Sequence, residues 1–522
     1  MNIAERTAMP AADAQQAEYT LRLSYRLSGW PGLVAALLAG AILPLAFAPL
    51  QWAWLAVGSP AVLFAIVAVA PYRQALRAGY LFGLGFFGTG VSWVYVSVAV
   101  FGAAGWMLAV PLVAIFVALL ALFPWVMVWL AERLRRAPSF RFLVLVLPAL
   151  WLGLEWVRSW LLTGFPWLLL GYSQTDTWLA GVAPVFGVFA LSWLVATVAG
   201  LLAWVVLAPS GRRGGIAAGI VAAVLLIGPV LDREWTEPSG EPFTAVLIQG
   251  NMPQDVKWDP EYLQATKDRY LELTRQHWDA DLIIWPESAI PLLRHQVESD
   301  YLRPLAEEAE AHQTDVLLGI PVFNFETREF YNSMVSITGE GGQYDKRHLV
   351  PFGEYLPLRS VFGQALDILG APMADFVPGG PPVPLTGAGL PLAVSICYEV
   401  VFGRQMTQLL PDAAVLVNVS NDAWFGDSLG PHQHLQIARM RALEAGREML
   451  RGTNTGITVF IDHRGQITHR APQFETTTLV AEVTPRQGAT PYVRWNDVPV
   501  LAALGLLLLG LAAAEFIRRR RR

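Results

Sequence analysis

The chain has 522 residues, of which 54% are hydrophobic and only 15% charged, with a formal net charge of −5 and a mean hydropathy of +0.42. Soluble domains carry about a quarter charged residues, so the composition excludes an ordinary soluble protein and points to a membrane protein. No basic stripe with interleaved aromatics is present, which argues against nucleic acid as a partner, and the single cysteine, Cys397, excludes an internal disulfide.

Seven apolar runs long enough to cross a bilayer, at about 20 residues each, come first: 30–49, 52–71, 79–101, 106–130, 141–160, 182–207 and 215–231. An eighth covers 497–516. Ala46-Phe47-Ala48 resembles a signal cleavage site, but Pro49 follows directly and opposes cleavage, so an uncleaved first helix is expected. Arginines occupy every second connection. Arg22 and Arg26 precede the first run, Arg73 and Arg77 follow the second, and Arg133, Arg135, Arg136 and Arg141 follow the fourth. Arg212 and Arg213 follow the sixth, and Arg518 to Arg522 follow the eighth as an anchor for anionic lipid. The positive-inside bias then puts both termini in the cytoplasm and residues 232–490 outside it. Glu155 and Arg158, three apart in the fifth run, can pair on one helix face.

The expected organisation is a membrane domain over 1–231, an extracytoplasmic domain over 232–490, and a last helix with a basic tail over 491–522. In the polar region, short Val/Ile/Leu-rich strands are expected at Phe243–Gln249, Leu282–Trp285, Val316–Ile320, Asn332–Thr338, Leu392–Ile396, Ala414–Val419 and Gly456–Ile461. Asp259 reads as the N-cap of a helix running to about Trp278, and 431–450 as a second helix. This is an α/β domain large enough for one buried core. The Pro/Gly-rich stretch 356–390 is expected to be a mobile apolar lid at the bilayer surface.

Three motifs carry the chemistry. Cys397 ends an apolar strand, Glu287 follows Ile284-Trp285-Pro286, and Lys346 sits in Tyr344-Asp345-Lys346-Arg347-His348. A thiol, a carboxylate and an amine are the parts of a covalent acyl-transfer site. A carboxylate whose pKa is raised by burial can deprotonate the thiol. Lys346 and the Tyr398 backbone N–H can stabilise the resulting oxyanion. Taken singly, each has a plainer reading: Cys397 as a small buried hydrophobe, Glu287 as a surface turn, Lys346 as part of a solvated charge cluster. Only three of the 37 cations are lysine (Lys257, Lys267 and Lys346), which hints that a compact amine is needed where one occurs. His432 and His434 lack a third ligand at a metal-binding spacing, so packing or capping is expected of them, and no metal or cofactor is expected.

Trp285-Pro286-Glu287, the run Asp345 to Tyr355 and the run Ser395 to Glu399 resemble the nitrilase superfamily of carbon–nitrogen hydrolases and, more narrowly, the bacterial apolipoprotein N-acyltransferases. Gly164 to Trp167, Lys257-Trp258, Asn421 to Gly426, Gly430 to His434 and Arg451 to Gly456 extend the resemblance over nearly the whole chain. It implies a polytopic membrane protein in which an αββα nitrilase-like sandwich is mounted on eight transmembrane helices. It also implies Glu287 as general base, Lys346 as oxyanion-stabilising amine and Cys397 as nucleophile. Glu354 would orient the amine, Tyr398 and Glu399 would support activity, and Trp258 would stand near the pocket entrance. The implied reaction is ping-pong: an acyl chain passes from a phospholipid, at sn-1 of phosphatidylethanolamine, to Cys397 as a thioester. It then passes to the α-amino group of a diacylglyceryl-cysteine on an apolipoprotein, in the inner membrane of a bacterium, with the catalytic domain periplasmic. A monomer is expected. A membrane-tethered amidase with water as acceptor, or a transporter or sensor with a decayed domain, would use the same fold. Eight aromatic-rich runs argue for a lipidic substrate, and the intact Glu287, Lys346 and Cys397 argue against decay.

Overall fold

The structure, a computed structural model, describes residues 19, 22–23, 25–101, 105–135, 138–339, 341–355 and 376–520. Residues 356–375, which make up most of the expected lid, lie outside these. The chain divides into two compact units, one built from residues up to Ser92, Pro111–Arg233 and from Asp497 onward, the other from Trp93–Val110 and Glu234–Asn496.

The first unit is helical and apolar. Over the described residues, Gly105–Leu134 (in this unit from Pro111 onward), Ala180–Leu207, Gly211–Leu231 and Val498–Ile517 are long and apolar enough to cross a membrane. The pair Tyr72–Gly90 and Trp93–Val100, bent by 56°, would make a fifth. Trp30–Ala46 and Leu55–Val69 are apolar but shorter; at about 1.5 Å per residue each is several ångströms short of a hydrocarbon core about 30 Å thick. Trp30–Ile42 packs along Tyr72–Gly90 through bare backbone. A Cβ on Gly40 would stand 2.0 Å from the Phe82 carbonyl oxygen, and one on Gly85 would stand 2.2 Å from that of Leu37. Small residues at such a crossing are how helices gain contact in lipid, where no hydrophobic force drives them together. Glu155 and Arg158 are both buried and hold one turn of chain. Glu155 Oε1 accepts from Trp151 Nε1 at 2.8 Å and from the Leu170 N–H at 2.9 Å, while Arg158 donates to the Phe165 carbonyl at 2.7 Å.

The second unit carries fourteen described strands: β1 (Glu237–Pro238), β2 (Phe243–Gln249), β3 (Leu282–Ile284), β4 (Asp315–Asn324), β5 (Glu329–Ser336), β6 (Gly342–Asp345), β7 (Leu385–Gly387), β8 (Leu390–Ile396), β9 (Val415–Ser420), β10 (Met449–Thr453), β11 (Val459–Ile461), β12 (Ile467–Arg470), β13 (Thr477–Val483) and β14 (Arg486–Gln487). They form two six-stranded sheets, ordered β13-β2-β3-β4-β5-β6 and β12-β11-β10-β9-β8-β7, and a short β1-β14 ribbon. The inner strands of each sheet pair parallel (β2 with β3 and β3 with β4; β8 with β9 and β9 with β10). Parallel strands are covered on both faces, which is why they read as unbroken apolar runs. Ala245, Leu247, Leu282, Ile284 and Leu317 of the first sheet share one core with Leu392, Val394, Val415, Val417 and Leu450 of the second. The alternate residues Val246, Ile248, Ile283, Val316 and Leu318 pack with Tyr270, Leu305 and Ala309 of the helices Pro260–Arg275 and Arg303–Ala311. The outward face of the second sheet meets the helix Leu429–Ala445, where Arg451 of β10 lies 3.0 Å from the His434 ring. This is the αββα order.

Asp259 caps the helix Pro260–Arg275, its carboxylate accepting from the Glu261 N–H. The helix expected over 431–450 stops earlier, because Gly446 adopts the left-handed conformation (φ 61°) that terminates helices; Met449–Thr453 is then a strand. Trp93–Val110 belongs to this unit. The Trp93 ring meets Phe425 edge-on at 4.7 Å and donates to Gln433 Oε1 at 3.2 Å, and Ser97 donates to the Trp424 carbonyl at 2.8 Å.

The bare-backbone crossing predicts that Gly85→Ala lowers the thermal midpoint in detergent, at a loss of about 1–3 kcal/mol. Gly58→Ala, where a Cβ meets nothing within 4 Å, leaves it unchanged or raises it.

Candidate active site

Every group of interest follows the end of a strand. Glu287 comes after β3, Lys346 directly after β6, Cys397 directly after β8 and Asn421 directly after β9. The first two belong to one sheet and the last two to the other. Glu287 lies against Gly319 of β4 so closely that a Cβ there would sit 2.4 Å from the Pro286 carbonyl and 2.8 Å from Glu287 Cα. Only glycine lets the carboxylate segment lie this flat on the strand.

Lys346 is the hub. Its ammonium, 1% exposed, donates to Glu287 Oε1 at 3.2 Å and to Glu354 Oε1 at 2.9 Å. Asn332 of β5 spans the same two oxygens, each at 2.8 Å from its Nδ2. The second Glu287 oxygen accepts from the Asn421 N–H at 2.8 Å, and the second Glu354 oxygen from the Val350 N–H at 2.8 Å. Glu354 thus meets the Lys346 ammonium with one oxygen and the backbone with the other. Asn332 was not legible as a site residue, since an asparagine on a strand carries no pattern of its own.

Electrostatics differ from expectation at Glu287. Burial pushes its carboxyl up, as expected, but the Lys346 ammonium, with help from Asn332 and Lys257, outweighs burial and holds it below the ordinary carboxylate value. Burial would lower Lys346, yet Glu287 and Glu354 raise it well above the ordinary lysine value. The Cys397 thiol is pushed far up by burial and then by the Glu287 charge, with Lys346 opposing. At neutral pH the trio is thus thiol, carboxylate and ammonium: Glu287 is charged, and Cys397 still holds its proton.

Cys397 is partly exposed and has φ 51°, a strained conformation for a residue with a side chain. Two devices hold it. Glu399, fully buried, accepts from the Ile396 N–H (2.7 Å), the Arg347 N–H (2.7 Å), the His348 N–H (3.2 Å) and the Tyr344 hydroxyl (3.0 Å). It ties the Cys397 turn to the strand end that presents Lys346. Burial raises the Glu399 carboxyl, and these backbone donors oppose it. On the other side, His434 Nε2 lies 3.2 Å from the Cys397 carbonyl oxygen. A carbonyl only accepts, so Nε2 carries the proton, leaving Nδ1 to face Arg451 Nη2 and Asp422 Oδ1, each at 3.0 Å. Arg451 also donates to Asp422 Oδ2 at 2.9 Å and to Asn418 Oδ1. Burial and then Arg451 keep His434 below its ordinary value. His434 is therefore packed, as expected, but packed behind the nucleophile. Among the described residues no group of three His, Cys, Asp or Glu is arranged to hold a metal ion.

The remaining candidates lie around this centre. Tyr398 lies within a ring cluster, edge-on to Phe402 at 5.3 Å and tilted against His348 at 6.0 Å. Trp258 is 54% exposed, beside a fully buried Lys257.

A cysteine, a carboxylate and a lysine converging from the strand ends of two facing sheets define a carbon–nitrogen hydrolase, and residues 244–492 match the Carbon-nitrogen hydrolase family. Residues 39–201 match the Apolipoprotein N-acyltransferase N-terminal domain. The apolipoprotein N-acyltransferase of Methylococcus capsulatus is 49% identical over 494 residues, 94% of this chain and 96% of that protein. That of Nitrosomonas europaea is 44% identical over 504 residues, 95% of this chain and 100% of that protein. An amidase structure from Nesterenkonia sp. is similar at 18% identity and a TM-score of 0.33, over 51% of this chain and 97% of that one. The chain belongs to the apolipoprotein N-acyltransferase family and is an N-acyltransferase of the membrane.

The depressed Glu287 carboxyl gives a signed expectation. Its pairing stabilises the fold fully above the unpaired value of 4.5, and the contribution falls away as pH drops through the lower folded value. Glu287→Gln should be less stable than wild type by roughly 1–3 kcal/mol at neutral pH. Thermal melts in detergent should show that gap closing as the medium is acidified.

Proposed function

We propose that this protein moves an acyl chain from a phospholipid, at sn-1 of phosphatidylethanolamine, to the N-terminal amine of a diacylglyceryl-cysteine on an apolipoprotein. The observation that carries the reading is the partly exposed Cys397 thiol beside a buried, ionised Glu287–Lys346 pair, in a chain whose other unit is apolar helix.

Glu287 takes the thiol proton as Sγ attacks the ester carbonyl. The oxyanion is met by the Lys346 ammonium and the Tyr398 N–H. The carbon–oxygen bond breaks, Glu287 returns the proton to the departing alkoxide, and lysophospholipid leaves a thioester on Cys397. The α-amine of the acceptor then attacks the thioester carbon. Glu287 removes a proton from nitrogen, the carbon–sulfur bond breaks, and the proton passes to sulfur to restore the thiol. Exclusion of water lets the thioester wait for the amine. Glu354 keeps Lys346 in place, Glu399 and Tyr398 support the turn that carries Cys397, and Trp258 lines the approach.

The reading includes eight membrane spans, with the apolar helices ending at Ala46, Val69, Val100, Leu134, Arg158, Leu207, Leu231 and Ile517 as their cores. The alternation of arginines supports cytoplasmic termini and a periplasmic catalytic domain over 232–490 in a bacterial inner membrane. The protein acts as a monomer, without a cofactor.

Intact mass spectrometry after incubation with phosphatidylethanolamine should reveal a gain of one acyl chain, lost when a diacylglyceryl-cysteine peptide is added and absent in Cys397→Ala. Glu287→Gln and Lys346→Met should slow adduct formation by about 100-fold or more. No adduct, together with hydrolysis of small amides, would instead identify a membrane-tethered amidase.

A further inference from the structure

Two of the chain's three lysines converge on one residue, Glu287. Lys346 meets the Glu287 side chain, and Lys257 meets its backbone, Nζ lying 3.4 Å from the Glu287 carbonyl oxygen. Lys257 is 2% exposed. A buried ammonium with one long hydrogen bond is expensive unless a negative charge compensates it, and the charge that acts on it is that of the Glu287 carboxylate. The third lysine, Lys267, stands away from the site, 3.9 Å from Asp300 and over the Tyr301 ring.

The segment that carries Lys257 is fastened by Asn454 and by Asn421, the residue whose backbone also holds Glu287. The Met252 N–H donates to Asn454 Oδ1 at 2.9 Å, and Asn454 Nδ2 returns a bond to the Met252 carbonyl at 2.7 Å. Asn421, whose backbone N–H binds Glu287 Oε2, also donates from its side chain to Gln254 Oε1 at 2.7 Å. The chain from Met252 to Lys257 is thus laid across the site by direct bonds, and burial of Lys257 follows from that path.

We infer that Lys257 is a second cation of the Glu287 site, a positioning residue that acts through the carboxylate and keeps it ionised. The groups facing Glu287 are Lys346 after β6, Glu354 through the shared Asn332, Cys397 after β8, and Lys257 itself. From the helix Pro260–Arg275, Arg269 approaches the same segment but donates to the Gly250 carbonyl and Met252 sulfur. Asp255 and Asp259, on Lys257's own segment, are exposed. Against the Glu287 and Glu354 carboxylates, Lys346 supplies one positive charge and Lys257 a second. Burial lowers Lys257 to about 8, with Glu287 opposing, so its charge is present throughout the range in which Glu287 titrates.

The inference rests on the proposed role of Glu287 as the base for the thiol, and its test needs no phospholipid. Cys397 is the only cysteine, so alkylation by iodoacetamide reports on it alone: sulfur bonds to carbon, iodide leaves, and the thiol proton passes to Glu287. The alkylation rate is measured against pH for the full-length protein in detergent. In Lys257→Met and Lys257→Gln the acid limb should move to higher pH by about one unit, while Lys257→Arg should keep the wild-type limb. Profiles that coincide in all four proteins would overturn the inference, as would an equal shift in the Arg variant, which would mark a packing role. The Gln and Arg pair suffices if Lys257→Met does not fold. Failure of the acyl-transfer reading would appear separately, as the lack of a phospholipid adduct in wild type with the alkylation profiles unaffected.

Discussion

The Lys346 ammonium is the constraint from which the rest of the catalytic unit follows. A desolvated cation cannot be left with fewer partners than it needs, and removing one member of a buried pair costs about 3–5 kcal/mol. Its two carboxylates and the asparagine that spans them come from the end of β3, from the loop that follows β6 and from the middle of β5. One sheet is thereby locked at its site end. The bond from the Asn421 N–H to Glu287 extends the lock to the second sheet. The ion cluster is stability and chemistry at once, because the geometry that satisfies the ammonium also ionises the base.

The nucleophile is restrained differently. Cys397 has no ionic partner to pin it, and its backbone is strained, so neighbours must over-determine its position. Glu399 does this from one side with four accepted hydrogen bonds, and His434 does it from the other at the Cys397 carbonyl. Behind His434 the Arg451–Asp422 pair is wholly buried, which fixes the imidazole without exposing it to water. Two carboxylates near one thiol thus differ in their partners: Glu287 meets the Lys346 ammonium, and Glu399 is taken up by three backbone N–H groups and the Tyr344 hydroxyl.

Much of this was legible because strand-end motifs are short and local. Trp285-Pro286-Glu287, the lysine after β6 and the cysteine after β8 each announce themselves within a few residues, and Asp259 announced its helix. What escaped depended on distance rather than order. The sign of the Glu287 shift is decided by 3.2 Å to Lys346, a quantity no motif contains. The helix expected over 431–450 overran its end at Ala445 and took in the first two residues of β10, whose central Arg451 finds its partners Asn418 and Asp422 some thirty residues away in the chain. The apolar runs located the helices well, but where each helix begins and bends was not written in hydropathy: Tyr72–Gly90 and Trp93–Val100 are separated by a 56° bend within a single apolar stretch.

That bend has an architectural consequence. Trp93–Val110 is encoded between helices of the apolar unit yet packs with the catalytic one, its tryptophan against Phe425 and its serine against the Trp424 carbonyl. The α/β sandwich is therefore not a detachable module with a membrane anchor appended. An excised water-soluble fragment beginning at Glu234 would lose the wall behind the turn that holds Asp422, and with it part of the backing for His434. Recombination that swaps the sandwich between relatives would have to carry Trp93–Val110 with it.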